Sequence, residues 1–158
     1  MPAQRDRDTA GRPKNARPRD ELGRPLPREA ANKMQEEAPA ATPEEALTRG
    51  IEHFNARRYF QAHEAWEEGW HPSPGPERDF WQGLTQLAVG MTHRERGNAH
   101  GAATLLRRGA KKLRNYGDEY MGVSVAPLVA FADQAAERIE SDGTDAPLDT
   151  PTVRRRNG

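Results

Sequence analysis

TPEEALTRGIEHFNARRYFQAHEAWEEGW, residues 42–70, decides the fold. Thr42 can cap a helix, Pro43 suits its first position and Glu45 stands at the third position of a capping box, so a helix starts here. It is expected to run to about Arg57, because Leu47, Ile51 and Phe54 recur at helical spacing along one stripe. A second helix follows at once, Tyr59 to about Trp70, with Tyr59, Trp66 and Trp70 on one side. The run His71-Pro72-Ser73-Pro74-Gly75-Pro76 must end it, since prolines at alternate positions cannot continue a helix.

Working outward, a third helix is expected from Glu77 to about Arg96, carrying Phe80, Leu84, Leu87, Ala88 and Met91 on one face. Gly97-Asn98 closes it, with Gly suited to a positive φ and Asn98 able to cap the next helix. The fourth, Ala99 to about Asn115, buries Ala102, Leu105, Leu106, Ala110 and Leu113, while Arg107, Arg108, Lys111 and Lys112 face water. A fifth, Val125 to Ile139, repeats the period with Leu128, Phe131, Ala132 and Ala135. No strand is convincing, so the fold class is all-α: a compact bundle of about five helices built from antiparallel hairpins. The short joints are similar to tetratricopeptide-type stacking, although the 34-residue period and signature residues are not met.

All ten aromatic residues lie between Phe54 and Phe131, so the ends have little to fold around. Residues 1–40 hold six prolines, nine Lys or Arg and seven Asp or Glu, and residues 1–41 are therefore expected to be a disordered tail. Residues 42–140 form the helical domain, and 141–158, closing on Arg154-Arg155-Arg156, form a second disordered tail. No apolar run reaches the roughly 18 residues of a membrane span and no secretory signal opens the chain, which makes the cytoplasm the expected location. The absence of cysteine excludes disulfides, thiolate nucleophiles and Cys-based metal sites. The 24 basic and 24 acidic residues balance, which argues against nucleic acid as a partner. A protein or small ligand, or a second copy of the chain, is the expected partner.

Candidate site residues concentrate on the second and third helices. At 100° per residue, His63, Glu64 and Glu67 border the apolar seam beside Trp66 and Trp70. Charged groups there must be paired, hydrogen-bonded or metal-bound. Gln82, Gln86 and His93 form a narrow polar line on the third helix, and Gly83 and Gly90 beside it would let another backbone approach closely. One reading is a divalent metal site in which His63, Glu64 and Glu67 meet His93, a donor set that suits zinc, manganese or non-haem iron and a hydrolase-like activity. The HExxE run lacks the second histidine of zinc proteases, so that mechanism does not transfer. The other reading is a structural network, with Glu64 or Glu67 pairing Arg78 and His93 donating to a carboxylate. Trp66, Trp70 and Trp81 fit core packing by their spacing, or would line a groove if the helices leave one. His53, His71 and His100 are read as surface or turn residues.

The runs FNARRYFQAHEAWEEGW, ERDFWQGLTQLAVGMTHRERGN and GAATLLRRGAKKL, in this order, resemble the bacterial family called domain of unknown function 309. The resemblance covers about residues 46–115. Its pattern includes Phe54, Asn55, Tyr59 and Phe60, the polar residues named above, and the Gly97-Asn98 joint. It implies a small all-helical domain and no activity. Arg57 stands where the pattern often has Gly, and a helix-compatible turn would accommodate it. The functional expectation is a binding or interaction module with a structural polar network, the alternative being the metal-dependent enzyme.

Overall fold

The computed structural model describes residues 38–40, 42–70 and 75–156, together with the backbone of two short strands, β1 (Asp6–Arg7) and β2 (Pro13–Lys14), which pair antiparallel. The remainder of the expected N-terminal tail and His71 to Pro74 lie outside the described residues. Five helices follow: α1 (Pro43–Asn55), α2 (Tyr59–Trp70), α3 (Gly75–Glu95), α4 (Ala99–Leu113) and α5 (Ala126–Asp142). Each packs on its neighbours in sequence, most extensively α3 on α4, around one continuous core. Between α4 and α5 lie a 3-10 turn (Arg114–Tyr116) and a hairpin of β3 (Glu119–Tyr120) and β4 (Val123–Ser124) that the periodicity did not reveal.

The helix boundaries follow from caps. Thr42 accepts the Glu45 backbone N–H at 3.1 Å, and Asn98 accepts that of Gly101 at 3.0 Å. The expected stripes are buried throughout, except that Trp70 and Leu105 are only half-buried. Trp66 fills the seam between α1 and α2, donating its indole N–H to the Leu47 carbonyl at 3.3 Å. That placement requires Gly50, because a Cβ there would fall 2.1 Å from the Trp66 Nε1.

Gly90 does for α3 and α4 what Gly50 does for α1 and α2. A Cβ on Gly90 would meet Leu106 Cγ at 2.9 Å, the Leu106 backbone nitrogen at 3.1 Å and the Ala102 carbonyl at 3.2 Å. Gly83 lies against Leu113, and Gly109 against Leu87 and the Gly83 carbonyl, so the two backbones run in close contact. The approach expected from Gly83 and Gly90 is thus made by α4, with Gly109 as its unforeseen counterpart.

The two helical hairpins share a joint. Arg58 N–H donates to the His53 carbonyl at 2.8 Å across Arg57, and Asn98 N–H donates to the His93 carbonyl at 2.9 Å across Gly97. Both intervening residues are left-handed, Gly97 at φ +79° and Arg57 at φ +63°. The helix-compatible geometry expected of Arg57 is therefore corrected: its backbone must turn left-handed to close the helix end. Leu47, Gly50, His53, Ala62 and Trp66 are matched forty positions later by Leu87, Gly90, His93, Ala102 and Leu106. The repeat length is forty residues, not the 34 of tetratricopeptide units.

The segment after Ser141, expected to be loose, takes a defined course. The helix α5 continues to Asp142, and the chain then returns across the bundle with Ala146 and Val153 buried and Leu148 against the core. Its polar backbone finds partners on distant elements, which composition alone cannot register.

Two substitutions test these joints. Gly90→Ala should lose about 1–2 kcal/mol by thermal unfolding, because the overpacking cost exceeds the roughly 1 kcal/mol that Ala gains in helix propensity. Arg57→Gly should gain about 1 kcal/mol by relieving a left-handed non-glycine residue. An unchanged melting temperature for both would remove the close approach and the left-handed joint from the account.

Candidate functional site

The second helix presents its polar residues unevenly. His63 is half-buried and its Nε2 lies 3.0 Å from Glu67 Oε2, one turn along the same helix. The Phe60 ring packs tilted against the His63 ring, with centroids 5.4 Å apart. Glu64 is exposed, as is Arg78 at the start of α3. On the third helix, Gln82 and Gln86 are half-buried. His63 Nδ1 and Gln86 Oε1 are buried without a protein partner among the described residues, and so is the Trp81 indole nitrogen.

His93 belongs to another environment. Asn98 must accept from Gly101 through its Oδ1, so its amide nitrogen faces His93 Nδ1 at 3.2 Å. A nitrogen donor there makes Nδ1 an acceptor and leaves the ring proton on Nε2. Burial holds the His93 pKa below its ordinary 6.5, and Arg96 adds to the effect. The expectation that His93 donates to a carboxylate is corrected: it accepts from an amide. The first hairpin repeats the arrangement, with Arg58 Nε donating to His53 Nδ1 at 3.0 Å. His53, read from sequence as a plain surface or turn residue, therefore stands at a joint of the same design.

The proposed metal donors are not assembled. Among the described residues no three His, Asp or Glu side chains converge as ligands. The reason is axial. Gly69 of α2 touches Trp81 of α3, and counting from that contact places His63 six residues along one helix but His93 twelve along the other. At 1.5 Å per residue the two levels differ by roughly 10 Å. His63 and Glu67 are brought together, while His93 stands at another level of the bundle.

The tryptophans divide as well. Trp66 and Trp81 are 1% and 0% exposed, so they are core residues and line no groove, whereas Trp70 is half-buried. Phe80 instead anchors an aromatic cluster, 4.8 Å from Tyr120 and 5.4 Å from Tyr116 between ring centroids. The Tyr116 hydroxyl donates to the Pro76 carbonyl and ties the end of α4 to the start of α3.

Two features had no signal that sequence reasoning used. A cavity of about 490 Å³ opens between α5 and the C-terminal segment, lined by Phe131, Arg138, Asp142, Leu148 and Asp149 among others. Asn55, a pattern residue with no expected role, makes paired hydrogen bonds with the backbone of Val153: Val153 N–H donates to Oδ1 at 2.7 Å and Nδ2 donates to the carbonyl at 3.1 Å. Its position at a helix end, where no apolar stripe needs it, was the available hint.

Residues 47–105 match the family model described as Domain of unknown function (DUF309). Over 94 residues, 58% of this chain, the sequence is 32% identical to the uncharacterized protein YpuF of Bacillus subtilis (strain 168), of which 54% is covered. The chain thus spans about half the length of that curated relative.

The His93 geometry predicts a pH dependence. With its folded pKa lowered, the neutral ring's contribution is present above pH 6.5 and is lost as pH falls through the folded value. Urea midpoints measured at pH 7.5 and 5.5 should drop more for wild type than for His93→Gln. Equal drops in the two proteins would mean that burial and Arg96 do not hold the ring neutral.

Proposed function

We propose that the chain, whose residues 47–105 match the DUF309 family model, is a binding or interaction module in which the polar residues of the pattern are structural. Asn55 carries this reading. A side-chain amide that satisfies both the N–H and the C=O of one extended residue reads backbone rather than side chain, as a scaffold gripping a peptide does. The other polar residues support it by where they are spent. Asn98 caps α4 and holds His93, and His63 pairs Glu67 within one helix. Such a half-exposed pair contributes only about 0.5 kcal/mol and needs no ligand to explain it.

Among the described residues no helix is long and apolar enough to cross a membrane. The basic strip on α4 is engaged in part by acids of the same chain, Arg107 with Glu140 and Lys112 with Asp79, the latter at 3.8 Å. A partner of protein character therefore fits better than a polyanion.

The test is metal content per chain, on untagged protein purified without chelator, beside a His63→Ala, Glu67→Ala double variant. The module reading expects no stoichiometric metal and a variant that stays folded with a loss of about 1 kcal/mol or less. Stoichiometric zinc, manganese or iron that the folded variant loses would overturn it in favour of the hydrolase-like alternative.

A further inference from the structure

The C-terminal segment lies on the bundle as a separate strand would. Val123 of β4 bridges Arg155 antiparallel, Ser124 N–H donates to the Arg154 carbonyl at 3.0 Å, and Arg156 N–H donates to the Gly122 carbonyl at 2.7 Å. Asn55 clamps Val153 on the other side. The receiving edge is shaped for this: Met121 and Gly122 turn the hairpin with φ of +50° and +79°, and a Cβ on Gly122 would stand 2.6 Å from the Arg156 carbonyl oxygen. Side chains add a short code. Val153 is buried, Arg155 donates to Thr48 Oγ1 at 2.8 Å and Arg156 pairs with Glu119.

The segment itself contributes little that would bind it permanently. Between Gly143 and Gly158 its only aliphatic side chains are Ala146, Leu148 and Val153, set among Asp, Thr, Pro and Arg. The attachment of residues 153–156 rests on main-chain hydrogen bonds to an edge strand, the Asn55 amide, the side-chain contacts of Arg155 and Arg156 and one buried valine, which is the economy of β-strand addition. An edge strand that any extended backbone can extend is exchangeable by nature.

We propose that the edge of β4 together with Asn55 is a peptide-docking groove, held in cis by residues 153–156, whose partner in trans is an extended segment of another protein carrying a small apolar residue with arginine two positions later. This rests on the module reading and names its ligand class. The backbone contacts set the extended form. The Val153 site selects the small apolar residue, and Thr48 with the Glu44 carbonyl selects the arginine.

The experiment uses the full chain and a fluorescent peptide of its own sequence, residues 148–158. Val153→Asp releases the cis segment and should bind the added peptide at least tenfold more tightly than wild type does. Adding Asn55→Ala or Gly122→Ala to that variant should abolish binding. A helical, folded Val153→Asp protein that ignores the peptide overturns the proposal. If that variant does not fold, amide exchange in wild type decides. Val153 and Arg156 amides exchanging at least a hundredfold faster than those of α3 and α4 support a releasable strand, and equal rates overturn it. A concentration-dependent dimer of wild type that the peptide disperses would assign the groove to a second copy and overturn the choice of partner. Should the peptide fail while no metal is found, the groove alone falls. The module reading falls only with stoichiometric metal.

Discussion

The close approach of α3 and α4 is the constraint on which the rest of the molecule depends. Gly90 has no room for a Cβ between Leu106 and Ala102, and Gly109 likewise fits against Leu87 and the Gly83 carbonyl. With those backbones in contact, one side of α3 is spent on α4, and the side carrying Trp81 is left for Gly69 of α2. The third helix therefore sits between its neighbours and fixes the level at which every other element meets the core. Packing at this density leaves no slack, so the chain must leave each helix in one direction only.

That requirement explains the duplicated joints. Each hairpin closes with a left-handed residue, a backbone hydrogen bond across it and a histidine that accepts from the residue five places on. Gly50 against Trp66 and Gly90 against Leu106 are the same contact made with different bulk. Two of the histidines in the chain thus serve helix ends, where a ring acceptor orders the side chain that follows the turn. The composite motif reads differently in this light, since a good part of its polarity maintains the hairpins.

Much of the helical framework was legible because periodicity and caps are local. Tyr59–Trp70 was bounded by an aromatic start and a run of prolines, and Asn98 signalled its own cap. What stayed hidden was non-local. Arg57 gives no sign of its left-handed turn, because only the closure of α1 onto α2 demands it. The polar residues of α2 and α3 were grouped by their angle around each helix, while the axial offset between His63 and His93 depends on how the two helices dock. The return of residues 143–156 was hidden for the same reason: its partners, Asn55, Gly122 and Arg94, lie far away in sequence.

The histidines hold the joints in place, and nitrogen-15 NMR of His93 tests this most directly. At pH 7.5 the ring should be neutral, with its proton on Nε2 and Nδ1 bare and accepting from Asn98. A ring protonated on Nδ1, or shifts averaged between the two tautomers as in free histidine, would contradict it.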